Sequence, residues 1–201
     1  MGIMRATDLI TAAYNICFDS KREIHEAWIT HSEKIGEIAG AGHIVNAQDN
    51  GRLDLLLRQM DEEATTPRRK EIDFSLTIRA SFSDYWLLRA YEIVRAADEQ
   101  LKLKNDSNER ITALKRRMAL IRIPIAKAQI QGKPAETKRL ILAHADGSDR
   151  REYTNDGSYM APRGICSETG SAVWLPVDAA TRQTAQIRRI DLSNKLLRLF
   201  D

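Results

Sequence analysis

Basic side chains are the residues of this sequence whose type and spacing offer the clearest chemistry. Lysine and arginine bind phosphate groups and supply most of the sequence-independent affinity of proteins for nucleic acids. They concentrate in two places, between positions 115 and 127 and near the end of the chain. The candidate phosphate-binding residues are Arg116, Arg117, Arg122, Lys127, Arg188 and Arg189.

The spacing of these residues limits the surface that they can form. Arg116 and Lys127 are eleven positions apart, about three helical turns, and so face nearly the same direction on a helix. Arg122 points to one side, so a continuous patch needs Arg188 and Arg189 from the C-terminal part. The alternative is that these residues solvate helix faces and pair with acidic residues. The balance of 31 basic against 28 acidic residues, a net charge of +3, favours this alternative.

Histidine and cysteine supply the other candidate chemistry. None of the four histidines has another His or Cys three or four positions away, the spacing that places two metal ligands on one helix face. We therefore predict no metal site and no cofactor. His31 lies on an apolar stripe, where we expect a buried, hydrogen-bonded imidazole. Cys166 would need a base such as His144 beside it to act as a nucleophile, and sequence spacing does not establish that adjacency.

The composition is that of a folded globular chain. With 201 residues, 43% hydrophobic and 29% charged, the chain suits one domain, or one domain with a small appendage. Its two cysteines are isolated, which is typical of a reducing compartment. No apolar run approaches the roughly 20 residues of a membrane span, and the N-terminus lacks a secretory pattern. We expect a cytoplasmic protein without a membrane partner.

Apolar spacing predicts helices over the first two thirds of the chain. From Ile10 to Ile38 apolar residues recur every three or four positions, which predicts one long helix, or two helices broken near Asp19. We expect this stripe to be buried against other helices or against a second copy. Residues 43–52 contain turn-forming residues and are predicted to be a loop before a short helix over 53–60.

The middle of the chain contains one ambiguous segment and one long helix. Residues 71–79 alternate as in a strand, but a helical stripe continues through them to Leu101. The longer pattern favours a helix that starts between Asp73 and Asp84. A further helix is predicted from Asn108 to Gln131, with a bend at Pro124 because proline removes one helical hydrogen bond.

Short strands are predicted near the C-terminus, at 139–144, 172–177 and 184–188, with a loop over 154–170. An amphipathic helix follows Asp191. The predicted fold is therefore mainly α: a bundle of about four helices over 1–134, and a C-terminal part over 135–201 with an antiparallel hairpin or three-stranded sheet and a terminal helix.

Two functional hypotheses from different classes follow. The first is a non-enzymatic interaction or scaffold protein that self-associates through its helices, because the N-terminal stripe is longer than one compact domain usually needs. The alternative is a nucleic-acid-binding protein or nuclease that uses the Arg/Lys surface. We expect no catalytic activity, although a site assembled from distant residues is a third possibility.

Overall fold

The computed structural model describes residues 5–66, 75–143 and 147–200. The helices are α1 (Ala6–Ser20), α2 (Arg22–Ala39), α3 (Gly42–Thr65), α4 (Ser75–Leu103), α5 (Glu109–Lys127), α6 (Pro134–Thr137) and α7 (Arg189–Leu197). The strands are β1 (Ile141–Leu142), β2 (Arg151–Glu152), β3 (Arg163–Ile165), β4 (Ala172–Trp174), β5 (Val177–Asp178), β6 (Gln183–Thr184) and β7 (Ile187–Arg188). The fold is mainly α with small antiparallel sheets near the C-terminus and a terminal helix, which confirms the predicted fold class.

The first two helices are separate, as one of the two sequence alternatives predicts. Lys21 interrupts the helical backbone with φ −130° and ψ 39°, and its amide still donates to the Cys17 carbonyl at 3.0 Å. Helix α2 ends at Gly40, where φ is +102° and the amide donates to the Gly36 carbonyl at 2.9 Å. Glycine adopts this backbone conformation without steric strain, so it ends the helix cleanly.

The predicted loop over residues 43–52 is wrong, because these residues form the first half of α3. Two residues that resemble turn formers make tertiary contacts instead. A Cβ on Gly51 would lie 2.7 Å from Cγ of Trp28, so the glycine lets the indole pack directly on the helix backbone. The amide of Asn50 is buried and faces Trp86. In the amide orientation that satisfies both groups, its oxygen accepts from the indole nitrogen at 3.2 Å and its nitrogen donates to the Trp86 carbonyl at 3.3 Å. Packing therefore overrides local turn preference.

Helix α4 begins within the predicted interval, at Ser75, and residues 71–74 lie outside the described part of the chain. Helix α5 begins after Asn108, whose side chain accepts from the amides of Arg110 and Ile111 at 3.0 and 3.2 Å. It passes through Pro124 and ends at Lys127, four residues before the predicted end, because Ala128 takes a left-handed conformation with φ 51°.

The C-terminal strands are shorter and more numerous than predicted. The sheets have the orders β1-β2, β3-β4-β7 and β5-β6, all antiparallel. Strand β3 lies inside the predicted loop, and the candidates at 172–177 and 184–188 each divide into two strands. The division follows from Pro176, which has no amide to donate and marks the point where pairing changes from β7 to β6. Helix α7 begins two residues before Asp191 rather than after it.

One hydrophobic core joins the helices to the last strands and α7. Its largest members are Trp28, Trp86 and Trp174, from α2, α4 and β4. Ile187, Leu192 and Leu196 belong to the same core, so the C-terminal part packs on the helices without an interior boundary at residue 134. A separate small cluster contains Ile130, Leu140, Tyr153, Tyr159 and Ala179.

Most of the apolar stripe from Ile10 to Ile38 packs inside the molecule. Cys17, Trp28 and Ile35 are buried, which confirms their predicted burial. Ile10 is 56% exposed, so the stripe does not continue into the core at the start of α1.

A guanidinium group lies at the centre of the packing between α3 and α7. Arg189 is 0% exposed and donates to Asp54 and, at 2.6 Å, to Oδ2 of Asp61. Its guanidinium carbon lies 5.7 Å from the centre of the Trp86 ring. Burying a charge is tolerated only where charged partners and hydrogen bonds compensate for lost water, and both carboxylates are themselves buried.

Asp54 is the most heavily bonded member of this group. One of its oxygens accepts from Arg58 Nε at 2.7 Å, Ser193 Oγ at 2.8 Å and Trp28 Nε1 at 3.0 Å. Arg58 also donates to Ser193 Oγ and Asn194 Oδ1, both at 2.7 Å. Burial opposes ionisation of Asp54, but Arg189, Arg58 and these bonds outweigh it and hold the pKa below its ordinary value. We call Asp54, Arg58, Asp61, Arg189 and Ser193 the buried ion network.

Replacing Arg189 by Met should lower the free energy of unfolding by about 3–5 kcal/mol, because two carboxylates are left without their buried partner. Arg188→Met is the matched control. Arg188 is one residue away and pairs with Asp191 near the surface, where water screens the pair, so its loss should have a much smaller effect. Urea denaturation measures both values. Equal effects of the two substitutions would contradict the assigned role of Arg189.

Candidate functional site

The predicted basic residues do not form one surface. Arg189 belongs to the buried ion network and is not available to an external phosphate, so its place in the predicted patch is wrong. Arg122 donates to Glu92 at 3.4 Å and stacks on Tyr91, and Arg188 pairs with Asp191 at 2.8 Å. These two residues follow the alternative interpretation, in which basic side chains pair with acidic neighbours.

The other three predicted residues lie on α5 in different surroundings. Arg116 and Lys127 are exposed. Arg117 is half-buried and donates to the Gln186 carbonyl at 3.2 Å. Of the three, Arg117 alone lines a groove between α5 and α7.

This α5–α7 groove has a volume of about 580 Å³ and carries a concentration of positive charge. It is lined by Arg110, Ala113, Leu114, Arg117, Asp191, Asn194, Lys195, Arg198 and Leu199. The predicted set omits Arg110, Lys195 and Arg198. The sequence does contain a signal for them. Arg110 and Arg117 are seven positions apart on one face of α5, and Lys195 lies three positions before Arg198, which follows the end of α7. Sequence spacing does not show which helix faces meet.

Two interactions position the walls of the groove. On α5, the buried Asp98 of α4 accepts from Thr112 at 2.7 Å and from Lys115, which holds the middle of α5 against α4. Burial opposes ionisation of Asp98, but hydrogen bonds from Lys102, Lys115 and Thr112 keep its pKa well below the usual range. On α7, the buried ion network fixes the first turn. The outer side of the same helix presents Lys195 to the groove, and Arg198 follows directly after the helix.

Basic side chains outnumber acidic ones among the described residues that line the groove. Asp191 is the one carboxylate among the lining residues, and it is bonded to Arg188. Arg110 donates to the Arg198 carbonyl at 3.5 Å. Within the described residues, Lys195 and Arg198 have no carboxylate within ion-pair distance. Four basic side chains thus line the groove.

A second candidate surface lies on α1. Cys17 is the buried residue of this helix, and burial raises the pKa of both its thiol and the nearby Tyr14 phenol. On another side of the helix, Leu9 is 51% and Ile16 57% exposed. Together with Ala12 and Ala13 they form an apolar stripe at helical spacing, which we call the α1 face. No charged residue occurs between Asp8 and Asp19.

A stripe on α4 also exposes apolar side chains, but part of it takes part in a contact within the molecule. Ile78, Phe82 and Tyr85 follow helical spacing and are exposed. Arg89 continues the line, donates to the Tyr85 hydroxyl at 3.2 Å and pairs with Asp49 of α3 at 3.4 Å.

Another cleft, of about 680 Å³, lies near the junction of α1 and α2. Its lining includes Lys21, Arg58, Asp61 and Glu62. Lys21 bonds Glu62 at 2.6 Å, and Arg58 belongs to the buried ion network. Its charges are thus of mixed sign, and two of its basic side chains are paired with carboxylates.

Within the described residues, the histidine and cysteine candidates do not come together as metal ligands. No group of three His, Cys, Asp or Glu side chains with metal-ligand geometry occurs within 5–66, 75–143 and 147–200. Hydrogen bonds from Thr169 lower the pKa of the partly exposed Cys166 thiol. His144, its proposed base, lies outside the described residues, so the pairing of the two stays a hypothesis.

His31 is buried as expected, but the predicted hydrogen bond is wrong. Neither ring nitrogen has a partner in the part of the chain that the structure describes. The ring lies between aromatic groups, with its centre 5.5 Å from that of Trp28 and 5.1 Å from that of Phe200. Burial lowers its pKa from 6.5 to about 4, so the imidazole is neutral at physiological pH.

Comparison with protein-family models, curated proteins and solved structures gives no match. In the described part of the chain, every helix is too short or too polar to cross a membrane.

The buried His31 predicts a specific loss of stability in mild acid. The unfolded chain binds a proton near pH 6.5 and the folded chain only near pH 4, so protonation favours unfolding as the pH falls between these values. The free energy of unfolding should decrease by up to about 3 kcal/mol over this interval. Urea denaturation at stepped pH measures it.

Replacing His31 by Leu should remove this loss, and His25→Gln, on the same helix, should retain it. Carboxylates with lowered pKa, such as Asp98, lose their contribution only at lower pH. An unchanged acid loss in His31→Leu would show that another group causes it.

Proposed function

We propose that the chain is a non-enzymatic interaction protein that self-associates through the α1 face in the cytoplasm. The observation that carries the proposal is the exposure of Leu9 and Ile16 on a helix that buries Cys17 alone. Burying such side chains against a second copy removes apolar surface from water, which is the main driving force of association. The free thiols of Cys17 and Cys166 fit a reducing compartment.

The face is suited to antiparallel pairing with itself. In that arrangement Leu9 of one copy packs against Ile16 of the second copy, and the small Ala12 and Ala13 lie at the crossing, where helices approach closely. Parallel pairing would instead place Asp8 against Asp8 and Asp19 against Asp19. Because like charges repel and opposite charges attract, the end residues favour the antiparallel form.

Charge complementarity at the two ends supports the same pairing. Arg5 precedes the first turn of α1 and Asp19 lies in its last turn. Antiparallel pairing brings Arg5 of each copy towards Asp19 of the other, so that two opposite-charge contacts flank the apolar centre. This complementarity is the reason for assigning a second copy of the chain, rather than another protein, to the α1 face.

The size of the face sets the expected affinity. Two exposed large apolar side chains and two alanines per copy bury less than the roughly 1,200–2,000 Å² of a standard stable interface. We therefore expect reversible association with a Kd on the order of micromolar to tens of micromolar. The stripe from Ile10 to Ile38, which sequence reasoning favoured as the association surface, is mostly occupied inside the molecule.

Replacing Ile16 by Asp should abolish association, because the substitution places two charges in the apolar centre of the dimer. Sedimentation equilibrium on the wild type should show an average mass that rises with concentration from 22.8 kDa towards twice that value. The control is Thr11→Asp, with the same charge change on the same helix, five positions and about 140° from Ile16. It should associate like the wild type. A wild type that stays at 22.8 kDa up to about 1 mM would refute the proposal.

A charge exchange tests the antiparallel arrangement itself. Arg5→Asp alone should weaken association several-fold, because each copy then places an aspartate near Asp19 of the other. Adding Asp19→Arg should restore affinity, since the opposite-charge contacts are re-formed. If the double variant associates no better than Arg5→Asp, the two ends do not meet and the antiparallel geometry is wrong. Circular dichroism checks that helix content is unchanged.

A further inference from the structure

We propose that Arg79 and Ser83 of α4 form an internal binding site for a small monovalent anion, with the size and charge of a halide. Both side chains are buried, with exposed fractions of 3% and 1%. They are four positions apart, about one helical turn, and therefore lie side by side on one face of α4. The site is separate from the α1 face and does not depend on self-association.

The charge of the Arg79 guanidinium is the first argument. Its Nη1 donates to the carbonyl of Gly170 at 3.1 Å, and this acceptor is neutral. Among the described residues, no carboxylate lies within ion-pair distance of Arg79. The other buried charged side chains of this part of the chain each have an oppositely charged partner; they are Lys21, Asp54, Asp61, Asp98 and Arg189.

This difference is important because a guanidinium keeps its proton when it is buried. Removing an ionised group from water is costly unless opposite charge and hydrogen bonds replace the water. The carboxylates of Asp54 and Asp61 provide that charge for Arg189. For Arg79, an anion bound from solution would provide it.

The second argument is hydrogen bonding. In the part of the chain that the structure describes, Nε of Arg79 and Oγ of Ser83 are buried and have no partner. Such groups are rare in folded proteins, because they lose their hydrogen bonds to water and gain none in return. A halide accepts hydrogen bonds from N–H and O–H groups, so one anion would satisfy both. A water molecule would also satisfy both, but it would leave the charge of Arg79 uncompensated.

Contacts connect the Arg79–Ser83 pair to the buried ion network. The acceptor of Arg79, Gly170, lies directly against α3, because a Cβ on this glycine would overlap the carbonyl oxygen of Asp61. The carboxylate of Asp61 accepts from Arg189 at 2.6 Å. The Arg189 guanidinium in turn lies over the ring of Trp86, on the same helix as the pair. The pair and the network therefore belong to one polar region of the interior.

This connection determines the charge of the ligand. The buried ion network contains two cations and two anions, so Arg79 adds one positive charge in excess. A singly charged anion balances it. Nε of Arg189 is another buried donor without a described partner, whereas Oδ1 of Asp61 is an acceptor and would repel an anion. The anion therefore belongs on the α4 side of the region, at Arg79 and Ser83.

Burial limits the size of the ligand. Protein interiors are close-packed, so a site between buried side chains accepts an ion of few atoms more readily than a phosphate ester. Two clefts border the region. The cleft of about 680 Å³ is lined by Asp61 and by Thr169, the residue before Gly170. A second cleft, of about 420 Å³, is lined by Leu76, Ala80 and other residues beside Arg79.

Chloride and gluconate, compared at equal ionic strength, test the proposal. Gluconate carries the same charge but is too large for a buried site, and equal ionic strength keeps general screening constant. With a dissociation constant on the order of 1 mM, replacing gluconate by about 100 mM chloride should raise the wild-type melting temperature by about 5–10 °C. The increase should saturate with chloride concentration, as binding to one site does.

Two substitutions on α4 assign the effect to Arg79. Arg79→Met should abolish the chloride dependence. In gluconate it should melt at the same temperature as the wild type or higher, because a buried charge without a partner has been removed. The matched control is Arg89→Met, with the same charge change on the same helix at a partly exposed residue that pairs with Asp49. It should retain the full response to chloride.

A milder variant and a direct observation complete the test. Ser83→Ala keeps the guanidinium and should shift the midpoint of the chloride titration several-fold higher, because one donor to the anion is lost. In crystals grown with sodium bromide, the anomalous signal of bromide should lie within hydrogen-bond distance of Arg79 Nε.

Three results would overturn the proposal. The first is equal melting of the wild type in chloride and gluconate, which would leave water as the partner of these groups. The second is a chloride response in Arg79→Met as large as in Arg89→Met. The third is an Arg79→Met variant that is unfolded or much less stable than the wild type in gluconate. That result would show that the Arg79 guanidinium is already compensated without an anion.

Discussion

The burial of the Arg189 guanidinium is the constraint on which the arrangement of the C-terminal part depends. A guanidinium does not lose its proton, so it enters the interior only with opposite charges around it. Asp54 and Asp61 supply them from positions seven residues apart, two turns on one face of α3. Arg58 provides the second positive charge, so that the buried ion network contains two cations and two anions. Once these groups are buried, separating α7 from α3 leaves charged side chains in apolar surroundings without their partners.

This interaction determines which residues of α7 are buried and which face outward. Arg189, Leu192, Ser193 and Leu196 face the interior, where they bond α3 or join the core. Lys195 and Arg198 consequently face outward beside α5 and complete the α5–α7 groove. In the N-terminal part of the chain, α2 rather than α1 occupies the core through Trp28 and Ile35. Helix α1 is left with one buried residue and the exposed α1 face, which we propose contacts a second copy.

The sequence predicts the fold class, the break between α1 and α2 and the start of α4, because apolar periodicity reports directly which helix faces are buried. It fails for α3, since Asn50 and Gly51 have turn-forming side chains whose actual partners, Trp86 and Trp28, are distant in sequence. The sequence also fails to predict that Arg188 and Arg189 lie in different environments. The two are identical in type, but β7 ends at Arg188 and α7 begins at Arg189, and this change of backbone places one near the surface and the other inside. The groove could not be predicted for a related reason, because its walls come from helices whose packing depends on that buried residue.

Native-state hydrogen exchange is the most direct measurement of whether the buried ion network couples α7 to α3. The central claim is that α7 opens only together with α3, because parting them leaves buried charges unpaired. Peptides covering Leu192–Leu197 and Leu53–Met60 should then share the same high protection and the same dependence on denaturant, as members of one cooperative unit do. Fast exchange of the α7 peptide while the α3 peptide stays protected would show that α7 detaches on its own, and would contradict the account.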